Sequence, residues 1–225
     1  DVAAAVTNAG GVGVLGAGWG DDPKGPEALR GRIRRVRELV GDRPFGVDLI
    51  LPASVPDQGT PDGMAALIPE EHRRFARTIV DEYSIPPPKN PASQPPLTRE
   101  SIREMVDMLF EEEVRIFASG LGSPADLVDE MHEHGMTVVS LVGKPRHAVK
   151  SVAAGVDVIV AQGTDAAGHT GDIGTLSLVP QVVDAVRAAG SDAPVLAAGG
   201  VASGRQFVAA LALGAAGVWT GPIWL

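Results

Sequence analysis

The chain has no cysteine, which removes disulfide frameworks, thiolate nucleophiles and Cys-ligated metals from the chemistry open to it. Basic charge is in deficit: 19 Lys plus Arg stand against 28 Asp plus Glu, for a formal net charge of -9, so a nucleic acid backbone would be repelled. No apolar run approaches the ~18 residues that a membrane helix needs. The opening DVAAAVTNAGG has neither the basic start nor the sustained apolar stretch of a secretory signal. Together these absences lead us to expect a soluble, cytoplasmic protein with no nucleic-acid or membrane partner.

What is present is a chain of 225 residues, close to the ~250 typical of an α/β barrel and enough for one large core, so residues 1–225 read as a single domain. Short apolar runs alternate with longer amphipathic ones, the pattern of repeated βα units. The expected strands are Val12–Leu15, Phe45–Leu51, Val114–Ser119, Thr137–Val142, Val156–Ala161, Val195–Ala198 and Gly217–Thr220. Helical patterns fall at Pro26–Val40, Pro69–Tyr83, Thr98–Glu112, Pro124–His134, Pro145–Ala154, Leu176–Ala189 and Ser203–Leu213. Seven strands suggest a TIM (β/α)8 barrel lacking its first strand in this chain. That strand is expected before Asp1, because AAAV followed by NAGG resembles a helix and its glycine stop. An open, doubly wound sheet is the alternative. Residues 52–96 break the even spacing with many prolines, including IPPPKNPASQPP from Ile85 to Pro96, and read as an insertion after the Phe45–Leu51 strand. It is a lid, a dimer arm or a plain surface excursion.

Two stretches carry the candidate chemistry. AQGTDAAGHTGD, Ala161–Asp172, leaves a buried strand and turns polar and small around one imidazole, His169. An imidazole can hold or take a proton near neutral pH, and Gly168 and Gly171 would let a flat ligand pass close to it. The plain alternative is a histidine hydrogen-bonded in a surface loop. The second stretch runs from Val195 to Pro222. A strand ends in Gly199 and Gly200, Ser203 then caps a helix whose free amides point back at that spot, and the next strand ends in Thr220 and Gly221. At the last two strands of a barrel this is a phosphate site; the glycines could also serve only as tight turns.

Other features attract less chemistry. GVGVLG, Gly11–Gly16, matches GxGxxG in form, but here the helix precedes the strand instead of following it. His132 and His134 lie two apart on a helix and cannot share a metal through that spacing, and no metal site is expected. RGRIRRVREL, Arg30–Leu39, reads as a solvated helix face and Glu111–Glu113 as an exposed corner.

AQGTDAAGHTG followed by LVPQVVDAV, then PVLAAGGVASGR and ALALGAAGVWTG, resembles the FMN-dependent nitronate monooxygenases, formerly called 2-nitropropane dioxygenases. The resemblance extends from NAGGVGVLG through FGVDLILP to the last residues. It implies FMN as cofactor, a small nitronate or nitroalkane and molecular oxygen as partners, and His169 as catalytic base. It makes Gln162, Ala167, Gly168, Gly200 and the segment Trp219–Gly221 flavin contacts, with Gly199 beside them and with Asp48 and Lys144 near the ring. Lys144 either sets a cation at the flavin's pyrimidine edge or salt-bridges at the rim. Three positions depart from the family pattern: Ala167 replaces Gly, Pro222 replaces Thr, and Asp48 replaces an Asn that can donate a hydrogen bond. Two other functions fit the same residues: an FMN-dependent enoyl thioester reductase using NAD(P)H, and a barrel that binds a phosphorylated ligand without turnover. A homodimer is compatible with any of them.

Overall fold

The computed structural model describes residues 2–17, 26–52, 54–55, 63, 66–87 and 97–224. Its elements follow in the order α1 (Val2–Asn8), β1 (Val14–Gly16), α2 (Pro26–Val40), β2 (Gly46–Ile50), α3 (Glu70–Glu82), α4 (Arg99–Glu111), β3 (Ile116–Gly120), α5 (Val128–Glu133), β4 (Thr137–Val142), α6 (Pro145–Ala153), β5 (Val158–Gln162), α7 (Thr175–Ala188), β6 (Val195–Ala198), α8 (Gly204–Ala212) and β7 (Gly217–Trp219). The strands form one parallel sheet whose spatial order is the chain order. A doubly wound sheet reverses direction at a switch point. This one never does, so that alternative falls.

Unidirectional right-handed crossovers put the helices on one face of the sheet. The stripe Leu29, Ile33, Val36 and Val40 of α2 is buried there, as are Val47, Leu49, Phe117, Val138 and Ile159 of the strands. The opposite face is closed too: Ala118, Val139, Val160 and Ala198 are at most 4% exposed. A sheet with helices on one side only buries its second face by curling on itself, and the result is barrel-like. Among the described residues β1 and β7 are its two unpaired edges.

Two expected strands, Thr137–Val142 and Val195–Ala198, have the predicted bounds. Others begin one or two residues late; at β3 and β5 this is because the first apolar residue closes the preceding helix instead of joining the ladder. The amide of Val114 donates to the Leu109 carbonyl at 3.1 Å and that of Val156 to the Ser151 carbonyl at 3.1 Å. Each is the longer bond of a helix-terminating motif, reached through positive φ at Glu113 and Gly155. The pattern at Pro124–His134 shortens to α5, since a turn closed by Leu127 N–H on the Pro124 carbonyl at 2.8 Å precedes it.

Glu111 and Glu113 are exposed as expected, as are Arg34 and Arg35, but the corner needs correction at Glu112. Arg30, Arg34 and Arg37 of α2 converge on Glu112, which is 6% exposed and not a solvated residue. Arg34 Nη2 reaches Glu112 Oε1 at 2.7 Å, Arg37 Nη1 reaches Oε2 at 3.0 Å, and Arg37 also donates to the Glu112 carbonyl. Helix α3, inside the expected insertion, buries none of its residues, and Phe75 and Tyr83 are each 68% exposed. Most of the Pro-rich arm, residues 88–96, lies outside the described residues.

Candidate active site

The loop after β5 is a compact lobe with a closed neck. Thr164 N–H donates to the Ile173 carbonyl at 3.0 Å, and Thr175 N–H to Asp165 Oδ2 at 2.7 Å. The second bond places a carboxylate on the first turn of α7, where a helix favours negative charge, and it holds the Asp165 carboxyl below its usual range. Thr175 Oγ1 then bonds the Ala198 carbonyl of β6 at 3.2 Å. His169 sits in this lobe, exposed, between Gly168 at φ 85° and Thr170.

Both flanks of the lobe rest on the C-terminal rim of the sheet. On one side it meets the turn after β4: a Cβ on Gly171 would lie 2.4 Å from the Gly143 carbonyl oxygen, so backbone packs directly on backbone. Lys144 Nζ clamps the same edge, 3.0 Å from Asp172 Oδ2, and this pairing draws the Asp172 carboxyl down. Of the two readings of Lys144, the rim salt bridge is present here. On the other side the lobe meets the turn after β6. A Cβ on Gly199 would fall 2.9 Å from Ala166 N, and one on Gly200 would fall 3.1 Å from Asp165 Cβ. Gly199 and Gly200 have φ of 109° and 70°, a conformation that disfavours any side chain. The lobe carrying His169 and the paired glycines therefore share one rim.

Beyond the glycines, Ser203 caps α8 and accepts from Gln206 N. Gln206 folds back over that helix start: its Oε1 accepts from Ala202 N–H at 2.9 Å and its Nε2 donates to the Gly200 carbonyl at 2.5 Å. The Thr220 hydroxyl accepts from Trp224 Nε1 at 2.9 Å. An anion arriving here would find the Ala202 and Gln206 amides engaged, while the Thr220 hydroxyl, which accepts from Trp224, keeps its own proton to donate. Deeper on the inner face, Gln162, Ala198 and Trp219 form one row across β5, β6 and β7, with Gln162 and Trp219 partly exposed. Asp48 lies on that face at β2, in register with Gly16 and Ala118. Its Oδ1 is buried without a hydrogen-bond partner, and burial pushes its carboxyl up to about 6. Ala167 is exposed in the lobe, and Gly221 follows β7 at the same rim. His132 and His134 stay apart from all this: the first pairs with Asp157 at 2.9 Å, the second stacks on Phe110 with centroids 3.8 Å apart.

Asp165, Thr175, Asp172 and Gln206 were not singled out from sequence. Only Gln206 left a local signal, the Ser203-x-x-Gln206 spacing of a capping box. The other three act across ten or more residues or between loops.

A curled parallel βα sheet with a histidine lobe and a glycine cradle on one rim defines a class: barrel-like α/β proteins built to take a ligand at the strand C-termini. Within it, the sequence pattern of the nitronate monooxygenases matches residues 1–225, and the chain belongs to that family. Rv1533 of Mycobacterium tuberculosis, named as a monooxygenase, is 45% identical over 235 residues, covering 100% of this chain and 60% of that protein. The solved structure of nitroalkane oxidase from Streptomyces ansochromogenes is similar with a TM-score of 0.78 at 30% identity, covering 99% of this chain and 61% of that one. A Rhodococcus jostii enzyme, (3aS,4S,5R,7aS)-5-hydroxy-7a-methyl-1-oxo-octahydro-1H-indene-4-carboxyl-CoA dehydrogenase, is 40% identical over 120 residues, 53% of this chain and 33% of that enzyme. The chain thus spans about 60% of the length of Rv1533. No helix among the described residues is long and apolar enough to cross a membrane.

Proposed function

We propose that this chain carries an FMN-dependent oxidation of small alkyl nitronates by molecular oxygen, giving a carbonyl compound and nitrite, with His169 as general base. The observation that carries the reading is the seating of the His169 lobe against Gly199 and Gly200, which lets an imidazole and an anion cradle serve one flat molecule. In this reading Gly199, Gly200, Thr220, Gly221 and the first turn of α8 hold the phosphate. Gln162, Ala167, Gly168 and Trp219 line the ring, with Asp48 and Lys144 near it. One feature suits such a guest: the orphaned Asp48 Oδ1 wants a polar partner. A strand between the free edges of β7 and β1 would complete an eight-stranded barrel. A cytoplasmic location and a homodimer belong to the same reading, and exposed α3 is the element a dimer would use.

Bound FMN would supply the electron-accepting, oxygen-reactive ring. The chain's own share is proton transfer and positioning. Neutral His169 would take the α-proton of a nitroalkane or orient the nitronate already formed. Its lobe is pinned at the neck by Asp165 and Thr175 and at the flank by Lys144 and Asp172, so scaffold elements set where the imidazole stands. The test is to add FMN to the purified protein, record the visible spectrum, and measure nitrite released from an alkyl nitronate in air. Flavin absorbance retained through gel filtration together with nitrite supports the reading; no retained flavin at any FMN concentration removes it.

A second reading, an enoyl thioester reductase, draws support from the likeness to a CoA-ester dehydrogenase over half of the chain. NADPH oxidation that depends on an enoyl thioester separates the two, and its absence removes this rival.

A further inference from the structure

We propose that Asp48 works as a neutral carboxylic acid that donates its proton to a ring acceptor of the bound flavin, so that flavin binding is coupled to proton retention at this residue. The inference rests on the flavin reading above and assigns a protonation state that the sequence leaves open.

The geometry comes first. Asp48 is the middle residue of β2, on the inner face, and its neighbours across the ladder are Gly16 on one side and Ala118 on the other. The next position in that row, across β4, is Val139. Along its own strand the inward-facing residues are Gly46 and Ile50. Neither a hydrogen atom nor a methyl group can donate to a carboxylate, and Oδ1 accordingly has no partner though it is shut off from water. Nor does a cation face it from the packed strands. The inner positions of β1 are Val14 and Gly16, those of β3 are Ile116, Ala118 and Gly120, and those of β4 include Val139 and Leu141. Among the described residues, Arg32 Nη1 donates to the Gly16 carbonyl at 3.2 Å, and Lys144 is paired with Asp172.

A carboxyl so placed keeps its proton more strongly than one in water, since burial penalises only the charged form; its pKa rises to about 6 for that reason alone. The edge of an oxidised isoalloxazine offers mostly acceptors, N1, O2, O4 and N5, with N3–H the one donor. An ionised carboxylate could answer only that donor, whereas the neutral acid can donate to any of the four acceptors. Accepting this proton in a hydrogen bond would raise the carboxyl pKa further, so the ligand and the proton favour each other's binding. The acid thereby restores the donor that Asn supplies in the family pattern.

The test compares the whole wild-type chain with Asp48→Asn, which keeps a donor and cannot ionise, using riboflavin as well as FMN so that titration of the ligand's own phosphate drops out. Dissociation constants are read from flavin fluorescence between pH 5 and 8.5. The expected result is that wild-type affinity weakens toward tenfold per pH unit above about pH 6, while Asp48→Asn stays level and matches the wild type at pH 5. At pH 7.5, titration calorimetry in buffers of different ionisation enthalpy should show proton uptake by the wild type and less uptake by the variant. Parallel pH profiles for the two proteins overturn the inference, as does a variant at least tenfold weaker at every pH, which would mean that the ionised carboxylate is the binding form. If neither protein binds either flavin at any pH, the flavin reading itself has failed.

Discussion

Glu112 and Asp48 are both carboxylates largely withdrawn from water, one just before β3 at the end of the sheet where strands begin and the other at the middle of β2 on the inner face. Their treatment is opposite. Glu112 gathers three guanidinium groups and is held ionised, drawn down to about 2 chiefly by its hydrogen bond from Arg34. Asp48 gathers none and is pushed up to about 6. A buried charge with its partners in place belongs to the frame, tying α2 to the end of α4. A buried polar atom left without one costs stability unless something arrives to satisfy it, and such atoms collect at functional sites. Glu112 is thus satisfied by the chain's own arginines, whereas Asp48 Oδ1 is left unsatisfied by the strands around it.

If the rim carries the chemistry, the largest effect should come from exposed His169. His169→Ala is expected to cut nitrite formation by about 10²–10⁴, the usual worth of a general base, while FMN affinity and melting temperature stay near wild type. Loss of flavin along with activity would mean that His169 holds the cofactor instead of the proton. At the other end, Glu112→Gln should destabilise the fold by about 3 kcal/mol, the lower part of the range for removing one partner of a buried ion cluster, because Arg34 and Arg37 can turn to water. Flavin binding by the folded fraction should be unchanged, as urea unfolding and fluorescence titration would establish.

The two carboxyls also predict opposite pH signatures. Because the Glu112 pKa is depressed from 4.5, its contribution is complete above pH 4.5 and disappears as pH falls through about 2. Because the Asp48 pKa is raised from 3.8, the folded state holds a proton that the unfolded state has released, and stability falls as pH rises from 3.8 through about 6. Asp48→Asn removes that penalty. It should gain about 2 kcal/mol at pH 8, allowing for the residue's partial exposure, and almost nothing at pH 4. A gain of equal size at both pH values would point to packing and not to ionisation.

How far the sequence foretold this arrangement follows from the range of the interactions. The parallel βα order was legible because each unit announces itself locally: an apolar run, a glycine or proline break, an amphipathic stretch. The pairing of His169 with Gly199 and Gly200 on one rim followed from strand order alone. What stayed hidden was pairing between units. Nothing in RGRIRRVREL reveals that three of its arginines converge on Glu112 some eighty residues later, and charge runs do usually face water. Strand starts were misplaced for a similar reason: Val114 and Val156 look like strand residues, yet their amides are used to end a helix. The protonation state of Asp48 could not be read either, since it depends on which side chains the neighbouring strands fail to supply.

The smallest expected effect separates the two ways in which the lobe is held. Lys144 and Asp172 form an ion pair at its edge in which Asp172 is 71% exposed, so Lys144→Ala should change stability by no more than about 1 kcal/mol and its effect should fade with added salt. Gly171→Ala strikes the other fixing, since the new Cβ would sit 2.4 Å from a backbone oxygen that cannot swing away, and the lobe must lift from the turn after β4. If the backbone contact positions His169, this variant lowers kcat more than Lys144→Ala does while both keep flavin. Should Lys144→Ala be the more damaging of the two for kcat, and remain so in high salt, then the cation touches the ligand directly and its salt bridge to Asp172 is incidental.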